Sequence, residues 1–216
     1  AAFTAAHGAG HLVAGAFADL SRLNNDGETL KLEDALNGTI KEFTYNDAAP
    51  WPIAADAGYS LVLISPASNP DPDLPGSWRS STLPGGNPGA SDTVDPPLDP
   101  LGDSDGNGLA DLIDHALGND LGVAAIAPTI TLQPQEVSPG VFEERPTIAY
   151  TISLGAETTS ATVKLSTDLA TWDSSPADLS PVSSQNLGDG RALVTAYVNP
   201  PLSSAVRLFY RLEVSN

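Results

Sequence analysis

The chain has 216 residues, a formal net charge of −18, and neither Cys nor Met. That length suits one large or two small domains. Such a charge repels nucleic acid and anionic membrane surfaces, and the lack of Cys excludes disulfides, thiolate metal sites and a Cys nucleophile. No stretch reaches the roughly 20 apolar residues of a membrane-spanning helix, and a start at Ala1 predicts a segment processed from a longer precursor or, alternatively, removal of an initiator Met.

In chain order, residues 1–7 read as a short helix and residues 11–17 as a strand, although two glycines between them weaken any continuous helix. Residues 24–27, Asn-Asn-Asp-Gly, are turn chemistry, and residues 29–33 alternate as a strand should. A second strand is predicted over residues 39–45, after Asn37 and Gly38. Residues 59–64 form a continuous apolar run that reads as a buried strand. Residues 66–100 hold nine of the 19 prolines, which predicts no regular structure there. Trp78 in their midst implies that this coil is packed on its domain rather than free.

The next segment carries the clearest chemistry. Residues 95–121 contain seven acidic residues and no Lys or Arg. Within them, Asp103, Asp105, Asn107, Asp111 and Asp114 fall at positions 1, 3, 5, 9 and 12 of a twelve-residue loop with Gly108 at position 6. That is the ligand order of an EF-hand-type calcium loop. Calcium is a hard cation that takes six to eight oxygens. The four acidic side chains and Asn107 supply them, Asp111 through a water, and Leu109 at position 7 offers its backbone carbonyl. Asp114 stands where the usual loop has a bidentate glutamate. Its shorter arm predicts weaker binding or a shift towards smaller ions. A chance match within an acidic linker would have to place all of these residues in register.

Leu109, Leu112, Ile113, Ala116 and Leu117 then recur at helical spacing, with Gly118 as a C-terminal cap. The proline-rich entry, residues 95–100, provides no helix before the loop, so this is half of an EF-hand pair, like the single loops of dockerins and thrombospondin-like repeats. A lone loop has no two-state partner to bias, which argues against a sensing role. Strand patterns follow at residues 129–132, 146–154, 162–166, 192–198 and 206–214. In the second, Ile148, Tyr150, Ile152 and Leu154 share a face; in the third, Val163 and Leu165 point inward. The spacing predicts a small sandwich of the immunoglobulin or fibronectin type III kind.

The first region also resembles a known family. Residues 27–32, Phe43 to Asp47, the Pro50-Trp51-Pro52 turn, Ala55 and Asp56, Gly58 to Leu61, Trp78 and Arg79, and the glycine-rich residues 85–89 are similar to the later two-thirds of a bacterial lamin-tail domain. The resemblance implies an immunoglobulin-like β fold without catalytic residues. It also implies that the family's first strands are missing, so that either the domain is rearranged or another chain, or another copy, completes the sheet by β-augmentation. The remainder resembles the C-terminal region of large secreted proteins of Verrucomicrobia- and Planctomycetes-like bacteria. There an Asp-rich loop and a short helix lead into a terminal β domain with a motif like residues 165–172.

Other candidates carry blander readings. His7 and His11 are four apart and could share zinc, but no third ligand is near in sequence. His115 is expected to face solvent. Trp51, between two prolines, reads as a packed turn more readily than as a sugar-stacking platform, and Trp78 and Trp172 read as core anchors. Asn37-Gly38-Thr39 is a glycosylation sequon. Neither a nucleophile elbow, a phosphate-binding glycine loop nor a zinc-protease motif occurs.

The sequence therefore predicts a mostly β chain of two immunoglobulin-like sandwiches. A lamin-tail-like domain spans residues 1–92. A Pro/Asp-rich linker with the calcium loop (103–114) and one short helix spans 93–126, and a second sandwich spans 127–216. Calcium is expected to fix the orientation of the two domains. The expected role is a non-enzymatic, extracellular or cell-surface structural or adhesive module with Ca2+ as its ion. Neither nucleic-acid binding nor membrane insertion is expected of it. The alternative is a carbohydrate-binding accessory module of a secreted hydrolase, with polysaccharide as partner.

Overall fold

A computed structural model describes residues 2–13, 22–48, 50–52, 58–119, 126–173, 179, 183–199 and 207–216. Among the sequence expectations, residues 14–17 of the first strand, Ala55 and Asp56, linker residues 120–125, and Val206 lie outside the described residues. The chain is mostly β, with several antiparallel sheets, and divides into two compact units, Ala1–Thr93 and Val94–Asn216.

In the first unit, α1 (Ala2–His7) precedes an antiparallel ribbon of β1 (Gly27–Glu33) and β2 (Thr39–Asn46). The ribbon's turn is built by one carboxylate: Asp34 accepts the backbone N–H of Leu36 and of Gly38, each at 2.8 Å, while Asn37 adopts a left-handed φ of 63°. The register sets Leu30 opposite Phe43 and Glu28 opposite Tyr45 on one face. On the other face the Thr29 and Thr44 hydroxyls meet at 2.8 Å. A second ribbon pairs β3 (Leu61–Leu63) with β4 (Trp78–Ser80).

Two expectations are corrected here. The apolar run at 59–64 yields only three strand residues, and they are half-buried. The proline-rich coil does contain a strand, because no proline occurs between Gly76 and Leu83. Pro75 opens a short 3-10 turn (Pro75–Ser77) that leaves Trp78 extended and able to pair. A bidentate ion pair closes this region: Arg79 Nη2 donates to Asp92 Oδ1 at 2.5 Å and Nη1 to Oδ2 at 3.2 Å, and Thr82 N–H adds a bond at 2.9 Å. Both side chains of the pair are buried. Among the described residues of this unit, no aliphatic or aromatic side chain is fully buried apart from Pro72. Its two ribbons thus line an open apolar surface.

The second unit has a closed core. α2 (Asp111–Leu117) precedes β5 (Thr129–Ser138), β6 (Val141–Ser153), β7 (Ser160–Ser166), β8 (Ser183–Asn186), β9 (Arg191–Tyr197) and β10 (Phe209–Ser215). One sheet runs β5-β6-β9-β8 and the other pairs β10 with β7, all antiparallel. Ile148 and Tyr150 from β6, Val163 and Leu165 from β7, and Val194 and Ala196 from β9 form one buried cluster with Val198 and Leu117 of α2. Burying a Val, Leu or Ile side chain contributes about 1.5–3 kcal/mol, so this cluster is the unit's main stabilising feature. Thr151, fully buried, donates its hydroxyl to the Leu117 carbonyl at 3.0 Å and fixes the end of α2 against β6.

Candidate metal site

The loop that leads into α2 is closed by backbone bonds from Asp111 N–H to the Gly102 carbonyl (2.7 Å) and from Leu112 N–H to the Pro100 carbonyl (3.2 Å). Gly106 and Gly108 take φ values of 75° and 90°, a region that L side chains rarely adopt, so the two glycines permit the tight winding between them. Inside this turn the carboxylates are held by N–H and O–H donors. Asp103 Oδ2 accepts Gly108 N–H at 3.1 Å. Asp111 accepts both the backbone N–H (2.7 Å) and the hydroxyl (2.6 Å) of Ser104, and these bonds hold its pKa below the ordinary carboxylate value. The Asn107 side-chain amide donates to Asp105 Oδ2 and to Asp114 Oδ2, each at 3.1 Å, and so bridges two acids that would otherwise repel. Asn107 Oδ1 in turn accepts Leu109 N–H at 2.7 Å.

Asp114 differs from the others. It sits one turn into α2 with 2% of its surface exposed, and its Oδ1 is buried without a hydrogen-bond partner. Desolvation raises its pKa and the nearby Asp105 and Asp103 charges add to the effect, while the Asn107 and Asn119 amides only partly oppose it. A cavity of about 170 Å³ is lined by Asp95, Ser104, Asp105, Asp111, Asp114 and His115. The structure thus brings Asp105, Asp111 and Asp114 to one cavity, with Asp103 and Asn107 on the adjoining turn and Leu109 half-buried beyond it. Among the described residues, no three His, Asp or Glu side chains are already gathered as a metal cage. The loop carboxylates are instead engaged by Gly108, Ser104 and Asn107.

Sequence reasoning missed Asp95, which it assigned to the proline-rich entry. It lies eight residues before Asp103, outside any loop template, and only folding brings it to the cavity. His115 is corrected: it is 2% exposed, because the helix turns it inward beside Asp114.

The remaining candidates are placed as follows. His11 donates a ring N–H to the His7 carbonyl at 2.9 Å, and both rings pack near Phe3, at 4.8 and 5.8 Å between centroids. Trp172 is half-buried, with the Arg211 guanidinium 4.6 Å above its ring. Trp51 and Trp78 are half-buried, 6.3 Å apart between ring centroids, and Phe43 stacks on Trp78 at 5.6 Å. Among the described residues no helix is long and apolar enough to cross a membrane. No family model, curated protein or solved structure matches this chain.

Proposed function

We propose that this chain is a non-catalytic, extracellular structural or adhesive module whose second unit is rigidified by calcium bound at residues 103–114. The observation that carries the reading is the buried, unpartnered Oδ1 of Asp114 beside a cavity lined by Asp95, Asp105 and Asp111. A buried polar atom without a partner costs about 1–3 kcal/mol, and a cluster of like charges adds repulsion. A cation bound by oxygen ligands relieves both. The all-oxygen donor set suits a hard ion and gives nothing soft for zinc or copper. Asp103, Asp105, Asn107, Asp111 and Asp114, with the Leu109 carbonyl, would hold the ion, and Asp95 would add to the negative field around it. The ion would supply charge neutralisation and a rigid link from loop to helix; no reaction is assigned to it.

The helix gives this link its structural reach, since Leu117 at its far end belongs to the core of the second unit. The immunoglobulin-like reading of both units and the lamin-tail likeness of the first accompany this proposal. Their support is the antiparallel pairing in each unit and, in the second, one cluster shared by two sheets. The direct test is calorimetric titration of the chelated chain with Ca2+. One site per chain is expected, with binding weakened at least tenfold in the Asp103→Ala/Asp105→Ala variant. Heat of dilution alone would refute the site.

A further inference from the structure

The first unit holds a groove whose chemistry differs from that of the Asp-rich loop. The unit's two ribbons face this groove of about 420 Å³, within the range of small-ligand pockets. Leu30 and Phe43 from β1 and β2, and Leu61 and Trp78 from β3 and β4, give it an apolar, aromatic floor. Phe43 and Trp78 are stacked, 5.6 Å between centroids with 29° between ring planes, so the two rings are held as one aromatic block whose half-exposed surface faces the groove. Asn25, Asp47 and Tyr59 also line it, and among the described residues their side chains have no hydrogen-bond partner.

Three features select the occupant. Among the described residues no Lys or Arg lines the groove, and the chain is strongly acidic, so an anionic ligand is disfavoured. The Trp78 indole N–H is already committed to the Pro72 carbonyl at 2.9 Å. Trp78 therefore offers no donor to the backbone carbonyl of a peptide. The free rim groups, an amide, a carboxylate and a phenol, are the donors and acceptors that adjacent hydroxyls require. We infer that this groove binds a neutral oligosaccharide, one pyranose ring laying its C–H face over the Phe43–Trp78 floor while Asn25, Asp47 and Tyr59 take its hydroxyls. The site is separate from the calcium loop and does not rest on it.

The test uses the full chain, with tryptophan fluorescence and saturation-transfer NMR as readouts. The probes are cellotetraose, mannotetraose and chitotetraose, with tetragalacturonate as the anionic control and a proline-rich heptapeptide as the competitor class. Saturable binding of at least one neutral tetrasaccharide is expected, and none of the anionic one. Asn25→Ala/Asp47→Ala removes two exposed or half-exposed groups without partners. It should weaken binding at least tenfold with an unchanged unfolding temperature, whereas Trp78→Ala, which also removes packing, should abolish it. The inference is overturned if no neutral sugar binds at millimolar concentration, or if binding is unchanged in the double variant. Saturation by the peptide instead of the sugars would overturn it too, as would a light-scattering mass of two chains that the double variant halves, which assigns the groove to a strand of a second copy.

Discussion

Asp114 carries an unusual burden for a single carboxylate, because it is buried, charged, and satisfied on one oxygen only. Its pKa is raised in the folded chain, so the native state binds a proton more readily than the unfolded one. The cost of its charge is therefore full above the raised value and vanishes as the pH falls below the unfolded value of about 3.9. Asp114→Asn should then stabilise the metal-free second unit at neutral pH, by about 1 kcal/mol, with the gain fading towards pH 4. In saturating calcium the order should invert, because the variant loses a charged ligand. Urea unfolding with chelator and with calcium reads both signs. Asp92 has the opposite logic. Burial alone would raise its pKa, but bonds from Arg79 and Thr82 outweigh burial and hold it below the ordinary value. Its stabilisation is present above the unfolded pKa and lost as the pH falls through the folded one. Arg79→Ala strands that charge and should destabilise the first unit by about 3–5 kcal/mol, measured by chemical denaturation.

Among the elements, α2 is short and owes its persistence to its ends and its packing. Asp111 and Asp114 lie in its first turn, where carboxylates complement the helix dipole. Gly118 ends it at a φ of 72°, and a Cβ there would come within 2.7 Å of the Arg191 stem. Gly118→Ala therefore meets both a disfavoured backbone and a neighbour. It should cost about 1–3 kcal/mol, read from thermal unfolding. The helix and most strands were legible because their apolar residues recur at clean periods, as at Leu112, Ile113, Ala116 and Leu117, or at Ile148 and Tyr150. β8 was not legible: Ser-Ser-Gln-Asn has no apolar alternation, and the strand exists because β9 presents it an edge. β5 was cut short in the sequence reading at Gln133 and Pro134. As an edge strand it tolerates the proline and runs on to Ser138. In the candidate site, local spacing marked the loop residues, but Asp95 and the inward turn of His115 depend on tertiary packing that no local pattern encodes.

At the scale of the whole molecule, the two units differ in kind. The second closes a core around Leu117, Tyr150 and Val194, while the first leaves its aromatic residues half-exposed around a groove. The chain's negative charge is densest over residues 95–121, around the Asp-rich loop, so stability without calcium should rise with ionic strength as salt screens the acids. The central claim is that this acidity is matched by a bound ion, and calcium titration of thermal unfolding tests it most directly. Binding to the native state alone adds about 2.7 kcal/mol at a hundredfold excess over Kd, a rise of roughly 10 °C for a unit of this size. The account predicts a saturable rise in the second unit's transition, absent with chelator and lost in the Asp103→Ala/Asp105→Ala variant. An unfolding temperature that is indifferent to calcium, or a rise that persists in that variant, would contradict it.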